Sequence, residues 1–228
     1  MRLLRTLLLL AALPAASAHS REMPKPIPAP ALDSSPETGS SQTAVLAGGC
    51  YWGMQGMFEH VKGVTQVTAG FSGMPHMSNE DDVIGRADRP PAEAVQVAFD
   101  PKQISYGRIL QIYFSVAHDP TEVDRQGPDT GPQYRSAIYY SDDGQKKIAQ
   151  AYIAQLQAAG SYGAPITTSV EPLMRFRPVD RSQQDYVLQH PASSYVLSVD
   201  APRLAALKII FPTLYLDPPL TYSPHSPG

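Results

Sequence analysis

A chain of 228 residues, 43% hydrophobic and 17% charged with a formal net charge of −3, holds enough apolar matter for one domain with a real core and no basic excess for nucleic acid. No internal repeat and no Cys/His cluster with metal-ligand spacing is evident, so neither a solenoid nor a zinc site is expected. A single cysteine, Cys50, rules out any internal disulfide.

The N-terminus reads as a leader. Arg2 and Arg5 give a basic start, Leu7 to Leu13 a short apolar run, and Ala16-Ser17-Ala18 a small-x-small cleavage pattern, which predicts a secretory signal over residues 1–18. Export by the general route would place the product in the periplasm of a bacterium, with an uncleaved anchor as the alternative. No later segment reaches the roughly 20 consecutive apolar residues of a transmembrane helix, so no membrane span is expected after cleavage. Residues 19–42, with Pro24, Pro26, Pro28, Pro30 and Pro36, predict a flexible extended linker. The folded domain is expected over 43–215, with a loose tail over 216–228.

Within the domain, Thr43 to Ala47 reads as a strand, and Met54, Met57, Phe58 and Val61 recur at helical spacing up to a stop near Gly63. Strand formers fill Val64 to Phe71 and Ala92 to Phe99. Ile109, Ile112, Tyr113 and Val116 stripe a helix that Ser105 can cap. Ser136 to Tyr140 is strand-like; Ala149, Tyr152, Ile153 and Leu156 mark a helix ending at Gly160, followed by a short strand around Thr167 to Glu171. A last helix, Pro202 to Phe211, is expected on the outside. Without a regular βαβ count or a dinucleotide fingerprint, the expected fold is α+β, a two-layer α/β sandwich with a ferredoxin-like core and a mixed sheet flanked by helices.

Cys50 falls where the first strand gives way to the first helix, after two glycines that permit a sharp turn. The free N–H groups of an opening helical turn favour a thiolate, so a nucleophile partly ionised near neutral pH is expected. Most lone cysteines are inert core filler, but in an oxidising compartment an unpaired thiol is a liability unless it is used.

Taken together, Gly49-Cys50-Tyr51-Trp52-Gly53, Ala92-Glu93-Ala94-Val95-Gln96-Val97 with Phe99-Asp100-Pro101, His118-Asp119-Pro120-Thr121, Arg125-Gln126-Gly127-Pro128-Asp129, Gln133-Tyr134-Arg135-Ser136-Ala137-Ile138-Tyr139 and Gln184-Asp185-Tyr186 resemble the peptide methionine sulfoxide reductase A family, in order, over roughly 43–191. The resemblance implies reduction of methionine-S-sulfoxide, protein-bound or free, in a repair role. It implies Cys50 as the nucleophile that attacks the sulfoxide sulfur and becomes a sulfenic acid. Glu93 matches the acid that delivers a proton to the leaving oxygen. Independently, strand alternation puts Glu93 on the face of Val95, Val97 and Phe99, where partial burial raises its pKa. Tyr134 matches a hydroxyl that holds the sulfoxide oxygen, and Asp129 a carboxylate that orients the site, although a turn aspartate would look the same. Tyr51 and Trp52 would wall an apolar pocket for the ε-methyl group.

Three departures from the family pattern stand out. There is no further cysteine, so an external thiol, whether a thioredoxin-like protein, a glutathione-type thiol or dithiothreitol, must regenerate Cys50 directly. Pro90-Pro91 replaces the histidine usual before Ala92-Glu93, and acidic Ser78-Asn79-Glu80-Asp81-Asp82 stands where a further tyrosine is expected. No bound cofactor is expected, and the chain is read as a monomer. His118 is read as structural support. Two rival classes are a thiol hydrolase, which needs a histidine base beside Cys50, and a non-catalytic module that holds methionine-rich segments.

Overall fold

Alternation of apolar side chains along the strands decides which face of the sheet each residue covers. On β1 (Gln42–Ala47), Ala44 and Leu46 turn toward the helices, and Val45 and Ala47 turn away. The computed structural model describes residues 24–34, 41–73 and 90–224; the leader expected over 1–18 lies outside them. After β1 come helix α1 (Tyr51–Glu59), β2 (Val64–Ser72), β3 (Ala92–Phe99) and α2 (Tyr106–Ile112), which runs on into a π-helical turn, Tyr113–Ala117. A small hairpin of β4 (Arg125–Gln126) and β5 (Asp129–Thr130) precedes a 3₁₀ turn at Pro132–Tyr134, β6 (Ala137–Tyr140), α3 (Asp143–Ala158), β7 (Ser169–Pro172), β8 (Phe176–Pro178), α4 (Tyr186–Gln189) and α5 (Ala201–Ile210).

Six strands form one sheet in the order β7-β6-β1-β3-β2-β8, with only the β6–β7 pair parallel, so the sheet is mixed and the class α+β. Leu46, Val67, Val95, Val97, Phe99 and Ile138 on one face meet Met54, Met57 and Phe58 of α1, Ile109 and Leu110 of α2, and Tyr152 and Leu156 of α3. Burying each such side chain contributes about 1.5–3 kcal/mol. The opposite face buries Val45, Ala47, Ala92, Ala94, Ala137 and Tyr139, partly under Leu173 and Phe176. Capping fixes the helix starts. Ser105 Oγ accepts the Arg108 N–H at 3.2 Å, and Asp142 Oδ1 accepts the Gln145 N–H at 2.8 Å.

Two expectations change. The linker read over 19–42 is, across residues 24–34, a strap docked on α2 and α3: Gln111 donates to the Ile27 carbonyl at 2.8 Å, Tyr152 to Pro28 at 2.7 Å, and Gln155 to Ala29 at 2.8 Å. Extended proline-rich backbone leaves its carbonyls free, which suits it to accept these bonds. Ile27 is buried, and Asp33 accepts both the Gly107 N–H and the Ser105 hydroxyl at the start of α2. The tail read as loose is likewise attached as far as Ser223: Leu216 N–H donates to the His60 carbonyl, Leu220 N–H to Glu59, Tyr222 N–H to Asp185, and the Ser223 carbonyl accepts from Gln66.

Beneath that tail lies a buried carboxyl, Glu59, beside the half-buried Asp185. Burial and the adjacent Asp185 push the Glu59 carboxyl up to about 9, so at neutral pH it is protonated. Glu59 holds its proton up to about pH 9 when folded but releases it near 4.5 when unfolded, so between these values rising pH favours unfolding. The Tm is expected to fall by about 10 °C between about pH 6 and pH 9. Glu59→Gln, which is similar in size and cannot ionise, is expected to flatten that slope in a thermal scan series.

Candidate active site

The turn from β1 into α1 sets the site. Gly49 has φ 99°, in the left-handed region open to glycine, and a Cβ there would meet Gln126 at 2.6 Å. The chain leaves this turn with Cys50 at the cap of α1, partly exposed, with the Trp52 N–H near enough to favour its thiolate.

Glu93, in β3, reaches the same point. The Tyr51 N–H donates to Glu93 Oε2 at 3.1 Å, which sets the carboxyl beside Cys50, and the two groups act on each other's titration. Strand register puts Glu93 on the helix-covered face with Val95, Val97 and Phe99. Burial is the main cause that pushes its carboxyl up to about 7, and nearby Asp129 adds to it. Glu93 therefore exchanges its proton in the neutral range.

Cys50 itself departs from expectation. The Trp52 N–H favours the thiolate, but burial, then Glu93, Asp129 and Asp200 outweigh it and push the thiol well above its ordinary value. The resting sulfur is therefore a protonated thiol at neutral pH, not a partly ionised nucleophile, because desolvation and three carboxyls oppose one helix terminus.

The 3₁₀ turn after Gly131, φ 141°, carries Tyr134. Its hydroxyl titration is raised by burial and then by Glu93, Asp129 and Cys50, which places it among those groups. Asp129 lies in the β4–β5 hairpin and accepts the Tyr195 hydroxyl at 2.5 Å. The structure thus brings Cys50, Glu93, Asp129 and Tyr134 together. Tyr51 meets Trp52 and Phe71 edge-on, with centroids 6.1 and 5.8 Å apart; Trp52 stacks on Tyr186 at 3.7 Å and meets the Tyr195 ring edge-on at 6.2 Å.

Phe71, Tyr186, Tyr195 and Asp200 are the residues that sequence reasoning did not assign to the site. Tyr186 stands in the Gln184-Asp185-Tyr186 motif, whereas Tyr195 and Asp200 belong to no motif. They arrive on the π-helical segment Val196–Asp200 and its cap, which extends α5 inward. The final helix is therefore not merely external: Leu207 is fully buried, and Asp200 Oδ1 packs so closely on α1 that a Cβ at Gly53 would fall 2.1 Å from it. Both Asp200 oxygens are buried without a hydrogen bond; burial pushes the carboxyl up to about 6, against the opposing effect of Arg203.

His118 is buried, with Nδ1 3.1 Å from the Tyr113 carbonyl and Nε2 2.7 Å from Ser136 Oγ. Burial lowers its pKa to about 3, which leaves it a neutral support. His60 stacks on Tyr215 and His190 packs on Tyr186. None of these three is among the groups acting on Cys50, which leaves a hydrolase without its base among the described residues; His76 and the acidic stretch 78–82 lie outside them. Among the described residues no group of His, Cys, Asp or Glu is arranged to hold a metal ion, and no helix is long and apolar enough to cross a membrane.

Comparison with known proteins places this geometry. The family profile described as peptide methionine sulfoxide reductase matches residues 42–211. Peptide methionine sulfoxide reductase MsrA 2 of Mesorhizobium japonicum is 44% identical over 180 residues, covering 79% of this chain and 92% of that protein. MsrA of Thermus thermophilus is 40% identical over 175 residues, covering 76% and 97%. Among solved structures, methionine sulfoxide reductase A of Corynebacterium diphtheriae superposes with a TM-score of 0.54 at 31% identity, covering 75% of this chain and 85% of that one. Reduced Mxr1 of Saccharomyces cerevisiae shares the fold, with a TM-score of 0.56 at 24% identity over 69% of this chain and 90% of that one. The chain belongs to the peptide methionine sulfoxide reductase family and is an oxidoreductase.

Proposed function

We propose that this chain reduces methionine-S-sulfoxide, free or in proteins, through direct attack of Cys50 on the sulfoxide sulfur. The observation that carries the reading is the meeting of Cys50 and Glu93 at the start of α1, where the Tyr51 N–H holds the carboxyl: a protonated thiol beside a carboxyl that exchanges protons near neutral pH. As the sulfur attacks, Glu93 takes the thiol proton and delivers it to the sulfoxide oxygen, which acts as general acid–base catalysis. The substrate sulfur gains two electrons and leaves as the thioether, and Cys50 becomes a sulfenic acid that carries the oxygen. Tyr134 donates to the sulfoxide oxygen and stabilises its developing charge. Asp129, fixed by Tyr195, orients that hydroxyl. Tyr51 and Trp52, backed by Phe71 and Tyr186, receive the ε-methyl group, since sulfur and methyl groups pack well on aromatic faces.

An external thiol then condenses with the sulfenic acid to give a mixed disulfide and water, and a second thiol releases Cys50. The absence of any other cysteine supports this route, with a thioredoxin-like protein, a glutathione-type thiol or dithiothreitol as donor. We read the chain as a monomer exported through its leader to the periplasm, where it repairs oxidised envelope proteins. The four central strands, β6-β1-β3-β2, joined through α1 and α2, support a ferredoxin-like core.

Resolved sulfoxide epimers of a methionine peptide, incubated with the protein and dithiothreitol and separated by HPLC, test the reading. The S epimer is expected to be consumed and the R epimer left intact; conversion of neither contradicts the proposal.

A further inference from the structure

The reductant has to bring its own thiol to Cys50, and the surroundings of that sulfur bear on which thiols can approach. Among the described residues, the charged groups acting on it are Glu93 from β3, Asp129 from the β4–β5 hairpin and Asp200 from the segment leading into α5. They reach it from three elements. Glu93 is tied to the first N–H of α1, and Asp200 presses on Gly53 one residue beyond Trp52. Asp129 is held through Tyr195, whose ring meets Trp52. The other titratable groups coupled to Cys50 are Tyr51, Tyr134 and Tyr195, all neutral phenols held above their ordinary values. Arg203 offsets Asp200 in part.

Resting on the reductase reading above, we propose that the oxidised site selects its thiol reductant by charge, accepting cationic and neutral thiols and disfavouring anionic ones. Both chemical steps bring the reductant's sulfur, as thiolate, against Cys50. In the first, Cys50–SOH and R–SH form Cys50–S–S–R and water; in the second, another R–SH releases Cys50–SH and R–S–S–R. An incoming thiolate already carries one negative charge into a ring of carboxyls, and a second anionic group on the same small molecule adds to the repulsion, whereas an ammonium group offsets it. At separations of several ångströms in a partly desolvated site, each such charge alters approach severalfold, and salt weakens the effect. The outcome bears on the physiological donor: a cationic or neutral surface around a redox-protein cysteine fits the site better than a small polyanionic thiol.

The test uses three thiols of similar size: cysteamine (cationic), 2-mercaptoethanol (neutral) and 2-mercaptoethanesulfonate (anionic). The full chain is first oxidised by one equivalent of methionine sulfoxide. Re-reduction is followed by mass spectrometry and by fluorescence of Trp52, the sole tryptophan, with rate constants expressed per thiolate. The expected order is cationic, neutral, anionic, with about a tenfold spread at low ionic strength that shrinks in about 1 M KCl. Asp200→Asn removes a charge from a carboxyl that makes no hydrogen bond, and is expected to narrow the spread. Equal rates, or fastest re-reduction by the anionic thiol, with dithiothreitol turnover intact, would overturn charge selection alone. If dithiothreitol supports no methionine formation, the reductase reading falls and takes this inference with it.

Discussion

Serine in place of Cys50 is expected to lower conversion of a methionine sulfoxide peptide in dithiothreitol at least about 10⁴-fold, to the floor of an HPLC assay. The two side chains are similar in size, so the N-terminal cap of α1 and the contacts of Trp52 and Tyr51 should persist, and the variant should melt near the native temperature. What disappears is redox chemistry. A hydroxyl cannot take the sulfoxide oxygen and later surrender it to a thiol, and the chain holds no second cysteine to substitute. Retained peptide affinity with no product is the expected pattern. Unchanged turnover would contradict the role of Cys50, and native protein that binds the peptide without turnover would favour the binding-module rival.

Glu93→Gln carries the second large effect, a fall in kcat of about 10²- to 10⁴-fold with little change in KM. Glutamine keeps an oxygen for the Tyr51 N–H but cannot take the thiol proton or pass it on. The pH profile separates this role from simple support. Because burial pushes Glu93 up to about 7 and the Cys50 thiol well above its ordinary value, the pair holds two protons below about pH 7 and one above it. The singly protonated pair is the reactive form, since its one proton must travel from sulfur to the sulfoxide oxygen. Native kcat/KM is therefore expected to rise about tenfold per unit up to about pH 7 and then level. The glutamine variant should lack that plateau and keep rising as the thiol alone ionises. A native profile that falls above pH 7 would mean that Glu93 must start protonated alongside the thiol, and would contradict this proton path.

Much of the site is legible in local pattern. Cys50 lies at a strand-to-helix junction marked by Gly48 and Gly49, and the alternation of Ala92 to Phe99 alone puts Glu93 on the face of Val95 and Val97. What pattern cannot carry is burial produced by distant segments. The thiol is desolvated and crowded by Asp200, which lies 150 residues along the chain and reaches α1 only because Gly53 has no side chain. Tyr195 and its bond to Asp129 are long-range in the same sense. The hairpin at β4–β5, strand β8 and helix α4 have two to four residues each, too short to show a period. The strap at 24–34 reads as linker because proline content reports an extended backbone, while its docking depends on Gln111, Tyr152 and Gln155, each some 80 to 130 residues away.

A single-turnover experiment tests the central claim most directly. The native protein is mixed with one equivalent of a methionine-S-sulfoxide peptide in the absence of any thiol, quenched, and analysed by intact-mass and peptide mass spectrometry together with quantitation of the product. The account predicts one methionine formed per chain and one added oxygen, trapped by a sulfenic-acid reagent at Cys50. Methionine formed with Cys50 unmodified, or an acyl adduct on that sulfur, would contradict it.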